Sequence, residues 1–208
     1  MKLTVFGARG PTGHQVVDQA VERGHTVTAV VQSTAPESRF SDAVQVVEAD
    51  VYAGDDIEET LSEETVVCNL FRHSKLTASD YRAVSGQMIL DAMESTGCSR
   101  YLTVVPAVVR REGEPCGIGE SLAVALYRLL HPLAAEDAAD HVADVRRSEL
   151  DWTVIRVLRL TDGTMTRQYK TGDLKLGIGS VSYGDVASFL LDCCERGIYL
   201  RMQPKIRT

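Results

Sequence analysis

The stretch that decides the fold is KLTVFGARGPTGHQVV, residues 2–17. A short run typical of a β-strand, Lys2 to Phe6, leads directly into glycines at positions 7, 10 and 13. The segment that follows has helical periodicity, and its apolar residues share one face: Val16, Val17, Ala20 and Val21. The chain is therefore predicted to open with a strand, a tight turn and a helix.

The glycine spacing of this turn suits the diphosphate of a dinucleotide. Gly7 permits a sharp exit from the strand, Gly10 lets the backbone approach a diphosphate, and Gly13 lets the helix pack close to the sheet. The free N–H groups and the positive end of the helix would then face the diphosphate. A tight turn that binds no ligand is the alternative. The predicted cofactor contacts in the turn are Gly7, Arg9, Gly10, Pro11, Thr12 and Gly13.

Strand-like and helix-like segments alternate along the rest of the chain. Further strands are predicted at 25–31, 44–47, 65–70, 101–105, 151–158 and 198–202. Helices are predicted at 55–61, from Tyr81 with Val84, Met88 and Ala92 on its buried stripe, at 121–131, at 136–147 and from Ser182 onward. Because most strands are continuous apolar runs, the pattern predicts an α/β protein with a doubly wound, mainly parallel sheet covered by helices on both faces. We expect one domain, 1–208, with a small substrate-side region at about 106–148 and 158–182.

Composition excludes several classes of function. The chain has 208 residues, a net charge of −7 and 44% hydrophobic residues, which is typical of a globular protein. The acidic balance argues against nucleic acid as a partner, and no apolar run reaches the roughly 18 residues needed to span a membrane. The five cysteines form no C-x-x-C pair and no histidines have ligand spacing, so reduced thiols and no metal site are expected. The chain enters a strand at once, so we expect no signal peptide and a cytoplasmic location.

Five motifs resemble one family in content and order. They are GARGPTG (7–13), ADV (49–51), LDWTVIR (150–156), LTDG (160–163) and VSYGDVA (181–187). Over essentially its whole length the chain resembles the atypical short-chain dehydrogenases, and within them the compact NAD(P)-binding, NmrA-like group that includes flavin reductase/biliverdin-IXβ reductase. The resemblance implies a Rossmann-type fold, a bound NADP or NAD, and hydride transfer to a flat conjugated small molecule.

The resemblance also implies further cofactor contacts. An acidic-apolar pair follows the third strand beside the adenine, and the end of the fourth strand passes the ribose. Val105 and Pro106 stand near the nicotinamide, where the family often has a serine or threonine hydroxyl. Val157 replaces the proline that usually shapes the loop on the nicotinamide side. The implied contacts are Asp50, Val51, Asn69, Leu70, Phe71, Val105 and Pro106.

The residues that could move a proton are few. A tyrosine-dependent dehydrogenase needs Tyr-x-x-x-Lys, and none of the seven tyrosines is followed by lysine at that spacing. Loops at the carboxyl ends of strands line the crevice of such a sheet, so His73 is the predicted catalytic residue. Other donors near the cleft are Arg72, Ser74, Tyr127, His131 and His141. Simple ketones, which need a positioned acid, are therefore disfavoured as substrates.

The end of the second strand indicates the choice of cofactor. Gln32 stands there and no acid follows it closely, so nothing would repel a 2′-phosphate. Arg9 is the nearest cation that could pair with that phosphate. The sequence predicts NADP bound several-fold tighter than NAD.

Three functions remain open. The first is an NAD(P)H-dependent oxidoreductase that reduces a flavin or quinone. The second is a catalytically silent NAD(P)-binding regulatory or redox-sensor protein. The third, an epimerase acting on a nucleotide-linked sugar, lacks both its tyrosine motif and a substrate domain. The expected partner is a small-molecule substrate, and the chain is expected to be a monomer or a homodimer.

Overall fold

A computed structural model describes most of the chain. The described residues are 1–32, 40–54, 57–72, 78–111, 113–114, 117–163, 165–175 and 179–208. The strands are β1 (Lys2–Phe6), β2 (Thr26–Val31), β3 (Val44–Glu48), β4 (Thr65–Asn69), β5 (Arg100–Pro106), β6 (Asp151–Val157), β7 (Leu160–Thr161), β8 (Lys170–Gly172), β9 (Val181–Ser182) and β10 (Lys205–Arg207). The helices are α1 (Pro11–Glu22), α2 (Tyr81–Thr96), α3 (Ile118–Leu130), α4 (Pro132–Arg147) and α5 (Tyr183–Arg196), with a 3₁₀ turn at Glu58–Thr60.

Eight strands form the central sheet in the order β3-β2-β1-β4-β5-β6-β10-β8. The first seven run parallel, and β8 pairs antiparallel with β10 at the edge. β7 and β9 form a separate parallel pair. The order 3-2-1-4-5-6 is that of the Rossmann fold, in which the direction of winding reverses between β1 and β4. The prediction of a doubly wound, mainly parallel α/β fold is confirmed.

Helices cover both faces of the sheet. α1 packs against α5 on one face, where Val17 and Leu190 are fully buried. α2 packs against α4 on the other, where Ile89 and Val145 are fully buried. The last helix begins as predicted, because Ser182 Oγ accepts a hydrogen bond from the Asp185 N–H at 3.0 Å.

The predicted last strand, 198–202, is wrong. Gly197 ends α5 in the left-handed conformation, and Tyr199 and Arg201 also have positive φ angles of 58° and 54°. These angles turn the chain back along β6, which it touches by an isolated bridge between Met202 and Thr153. Regular pairing resumes only in β10, after Pro204. Residues 198–202 therefore form a turn beside β6 rather than a strand.

The predicted helices need four corrections. Val84 and Met88 are only partly buried on α2, whose buried face includes Arg82 and Ser85. α3 begins at 118 rather than 121, and α4 begins at Pro132 rather than 136, because proline is accepted in the first turn of a helix. Of the predicted helix 55–61, the described part holds only the 3₁₀ turn, and residues 55–56 lie outside the described ranges.

Four of the five cysteines are described, and all four are buried free thiols: Cys68, Cys98, Cys193 and Cys194. Burial raises the pKa of Cys193 to about 12, so that thiol stays protonated at neutral pH. Within the described ranges, no three His, Cys, Asp or Glu side chains come together in a way that could hold a metal ion. None of the described helices is long and apolar enough to cross a bilayer.

Candidate functional site

The glycine turn follows β1 and packs against the end of β4. Gly7 has a φ of 73°, and a Cβ there would come within 3.0 Å of the Leu70 carbonyl carbon. Gly13 is tighter still, because its Cβ would lie 2.3 Å from the Gly7 oxygen. A Cβ cannot approach backbone as closely as 2.3 Å, and side chains rarely adopt the positive φ of Gly7, so both positions favour glycine for the turn itself. They bring the start of α1 against the carboxyl end of the sheet.

Gly10 differs from its two neighbours in the turn. Its φ is −67°, and a Cβ would contact only the Gly7 oxygen, at 3.2 Å. Gly10 is also the N-cap of α1, whose first helical hydrogen bond runs from the His14 N–H to the Gly10 carbonyl at 2.8 Å. The preceding N–H groups of Thr12 and Gly13 lie at the positive helix end, and the first turn carries no acidic side chain. The site therefore fits a diphosphate held by backbone N–H groups.

The side chain of Arg9 lies against the end of β2. Its Nη1 donates to the Gln32 carbonyl oxygen at 2.9 Å, which places the guanidinium beside the strand end. Gln32 Nε2 donates in turn to the Tyr81 hydroxyl at 2.5 Å. This is the edge at which a dinucleotide fold holds the adenosine ribose.

Aromatic rings stand next to that edge. Tyr52 and Tyr81 stack with their planes 4° apart and ring centroids separated by 5.5 Å. Asp50 is exposed and its Oδ1 accepts the Tyr52 N–H at 3.2 Å, while Val51 is buried below. The acidic-apolar pair thus lies beside a stacked aromatic pair that could flank a flat base.

A cleft of about 260 Å³ opens at the carboxyl ends of β4, β5 and β6. Thr12 of the glycine turn forms one side of it, so the cleft reaches the glycine turn. Its lining residues are Thr12, Leu70, Phe71, Arg72, Arg82, Val104, Val105, Pro106, Tyr127, Ala134, Val157, Leu158 and Leu160. Most of them are apolar, and among these residues the polar groups are the Thr12 hydroxyl, two guanidinium groups and one phenol. Such a lining suits a flat ring system.

A buried polar chain lies beneath the cleft. Asn69 Nδ2 donates to the Tyr101 hydroxyl at 2.8 Å, and that hydroxyl lies 3.2 Å from His141 Nε2. Asn69 also accepts the Phe71 N–H at 3.1 Å, which fixes the strand end that borders the cleft. Burial, reinforced by the charge of Arg82, lowers the pKa of His141 to about 3. His141 is therefore a neutral imidazole that accepts the Tyr101 hydrogen bond.

The loop after β5 is held by a buried ion network. Glu114 receives two hydrogen bonds from Arg156 at 2.6 and 3.1 Å and one ion pair from Lys205 at 2.6 Å. Lys205 also reaches Glu120 at the start of α3, at 3.3 Å. Burial alone would raise the pKa of Glu114, but the hydrogen bonds from the two cations outweigh it and lower the pKa to about 2. The network attaches the loop after β5 and the start of α3 to β6 and β10.

The structure brings several of the residues singled out in the sequence to one place. Eight of them line the cleft: Thr12, Leu70, Phe71, Arg72, Val105, Pro106, Tyr127 and Val157. Asn69 lies below the cleft with a fully buried side chain, and His73 lies outside the described residues. Arg82 and the leucines after β6 were missed. The signal for Arg82 was an arginine on the buried stripe of α2, beside Tyr81.

Most of the chain matches the model of one known family. The profile described as NAD(P)H-binding matches residues 7–196, from the first glycine of the turn to the end of α5. The chain belongs to the NAD(P)H-binding family. As a member of that family it has a nicotinamide dinucleotide as its cofactor, and the resemblance inferred from the five motifs is confirmed.

Solved structures of similar fold cover the whole chain. The anaerobillin reductase ChuY from Escherichia coli O157:H7 superposes with a TM-score of 0.79 at 17% identity, covering 100% of this chain and 97% of that one. A candidate NADH-flavin reductase from Streptococcus pneumoniae TIGR4 gives a TM-score of 0.77 at 24% identity, covering 100% and 99%. A short-chain dehydrogenase/reductase from Veillonella parvula gives 0.80 at 16% identity, covering 99% and 93%. At these identities the likeness establishes the fold.

Proposed function

We propose that the protein is an NAD(P)H-dependent reductase that transfers hydride to a flat conjugated acceptor such as a flavin or a quinone. The observation that carries the proposal is the position of the cleft. It lies at the carboxyl ends of β4 to β6, reaches the glycine turn at Thr12, and most of its lining is apolar. In a sheet of this order a ligand binds outside the strand ends where the winding reverses. An acceptor in the cleft would lie against the apolar strand ends.

The chemistry suits an acceptor that needs no acid from the protein. The nicotinamide supplies a hydride, and water supplies the second proton, so that the acceptor gains two electrons and two protons while NAD(P)H becomes NAD(P)⁺. Among the described lining residues there is no carboxyl group, lysine or histidine. Pro106 has no hydroxyl where the family often has one. A flavin or quinone spreads the incoming charge over its rings and therefore needs no acidic side chain from the protein.

The central experiment compares acceptors. NADPH oxidation is followed by absorbance with riboflavin, FMN and menadione, and in parallel with simple ketones and aldehydes. We expect turnover of the conjugated acceptors and negligible turnover of the ketones, because a positioned acid is worth about 10² to 10⁴ in rate. Fast ketone reduction would refute the mechanism. His73→Ala should lower the flavin rate little unless His73 is the donor.

A glycine variant tests the cofactor site independently. Gly10→Val adds a side chain where the backbone would approach the diphosphate, while its Cβ meets only one backbone oxygen of the protein. We expect NADPH binding to be lost, with the melting temperature little changed. Gly117→Val is the matched control, since a Cβ at Gly117 meets nothing within 4 Å and the residue lies outside the turn. Unchanged NADPH affinity of Gly10→Val in calorimetry would contradict the assignment of the site.

The regulatory alternative makes a different prediction in the same assays. A redox sensor would bind NADPH, lose that binding in Gly10→Val, and reduce none of the acceptors.

For cofactor choice we propose NADP over NAD, supported by the guanidinium of Arg9 at the end of β2.

A further inference from the structure

The wall of the cleft contributed by α2 carries an arginine whose hydrogen bonds are incomplete. Arg82 is 5% exposed and lines the cleft. Its Nε and Nη1 atoms are buried and make no hydrogen bond to any residue that the structure describes. Leaving buried donors of a charged group unsatisfied costs free energy, so a ligand group that could satisfy them would gain that energy on binding.

The protein compensates the charge of Arg82 only in part. Burial lowers the pKa of Arg82, and the nearby carboxylate of Asp137 opposes that effect. One oxygen of Asp137, Oδ1, accepts the Ala83 N–H at 2.8 Å and so serves to hold the first turn of α2. His141, on the other side, is a neutral imidazole and brings no negative charge.

A second donor stands beside Arg82 in the same cleft. Tyr127 is half-buried, and burial raises its pKa while the charge of Arg82 lowers it, which places the phenol within electrostatic reach of the guanidinium. The net pKa is raised, so Tyr127 keeps its proton and can donate a hydrogen bond. Arg72, also on the lining, adds a second positive charge at the exposed mouth.

We propose that Arg82, with Tyr127, binds an oxyanion of the acceptor, a carboxylate or a phosphate on a flexible arm outside the reacting ring. The inference rests on the proposed reductase function, because it requires the acceptor to occupy this cleft. An oxyanion that accepts from either unsatisfied donor of the guanidinium forms a charge-assisted hydrogen bond. The acceptor is then a conjugated ring system with an anionic arm, held by its ring on the apolar strand ends and by its arm on the α2 wall.

The test uses acceptors that differ only in charge. Riboflavin and FMN differ by the phosphate, and N3-carboxymethyl-lumiflavin and its methyl ester differ by a carboxylate. With the wild-type protein and NADPH, we expect KM to be lower for the anionic member of at least one pair by about tenfold to a hundredfold, as for hydrogen bonds to a charged group. The pair that shows the difference identifies phosphate or carboxylate.

Variants assign the effect to Arg82. In Arg82→Met, which replaces the guanidinium by an unbranched apolar chain, KM for the anionic member should rise to that of its neutral partner, with KM of the neutral partner unchanged. Arg82→Lys keeps the charge and should retain part of the preference, and it also serves if the methionine variant does not fold. The control Arg146→Met, on the exposed side of α4, should leave both pairs as in the wild type.

Three results would overturn the proposal when the acceptors are reduced. The first is a wild-type protein that treats both members of each pair alike, and the second is a preference that survives in Arg82→Met. The third is a loss of NADPH affinity in Arg82→Met as large as the loss for the anionic acceptor, which would make Arg82 a cofactor ligand. If no acceptor is reduced, the reductase function fails, and the same pairs are then measured by calorimetric binding to the NADPH-loaded protein. Charge-dependent binding that Arg82→Met abolishes would still support the anion site, and its absence would refute it.

Discussion

Protonation of His141 should destabilise the fold in a pH range where carboxylates are still ionised. The imidazole is fully buried, its Nε2 accepts from Tyr101, and its pKa is lowered to about 3 from 6.5. The unfolded chain therefore binds a proton at His141 below pH 6.5, whereas the folded protein does not. Folding stability is complete above that value and falls as the pH is lowered towards 3.

The size of the effect follows from the two pKa values. Between pH 7.5 and pH 5.0, a shift from 6.5 to about 3 costs about 2 kcal/mol of the free energy of unfolding by linkage. Glu114 contributes little in this interval, because its pKa moves from 4.5 to about 2 and its loss begins lower. The loss is a large fraction of the 5–15 kcal/mol typical of a folded protein.

Urea unfolding at the two pH values measures this loss. His141→Gln removes the titrating group, so the difference between pH 7.5 and pH 5.0 should shrink by about 2 kcal/mol relative to the wild type, whatever the variant's absolute stability. His14→Gln is the control, since the side chain of His14 on α1 is 40% exposed and lies beside Asp18 at 2.9 Å. An equal pH dependence in the wild type and in His141→Gln would show that His141 is not held neutral by burial.

Three further changes have defined outcomes. Glu114→Gln should lower the free energy of unfolding by about 3–5 kcal/mol at pH 7, because it leaves the buried guanidinium of Arg156 without its carboxylate partner. The difference from the wild type should shrink as the pH falls from 4.5 towards 2, and chemical denaturation across that range tests it. Gly86→Ala places a Cβ 2.2 Å from His141 Nδ1 and should cost about 1–3 kcal/mol, whereas Gly117→Ala, which meets nothing within 4 Å, should not; equal melting temperatures of the two variants would contradict this. Arg9→Ala should remove a several-fold preference for NADP over NAD, and titration of both cofactors into both proteins decides it.

The fold could be predicted from sequence because its signals are local. Glycines 7, 10 and 13 lie within one turn, and β1 to β6 are short apolar runs separated by polar segments. The strand predicted at 198–202 was wrong because the conformation of this segment depends on residues far away in the sequence. Positive φ angles at Tyr199 and Arg201 are set by contacts with β6, including the Arg201 N–H bonded to the Trp152 carbonyl, and no pattern within the segment announces them.

The site could be predicted only where it follows the strand ends. Leu70 and Pro106 were implied by the family resemblance as residues at strand ends, and the cleft lies at those ends. Arg82 was missed because helical periodicity placed the buried stripe of α2 on Val84, Met88 and Ala92, whereas Arg82 lies on the face that meets the cleft. The partners of Glu114 were equally hidden, since Arg156 and Lys205 lie far along the chain.

The ion network limits which substitutions the protein can accept at four positions. Two carboxylates, Glu114 and Glu120, and two cations, Arg156 and Lys205, form a neutral group that is almost dry. Replacing any one of them leaves a buried charge uncompensated. A single substitution therefore lowers the free energy of unfolding, even where replacing all four residues by apolar ones would be tolerated. The four positions are expected to change together between lineages or not at all.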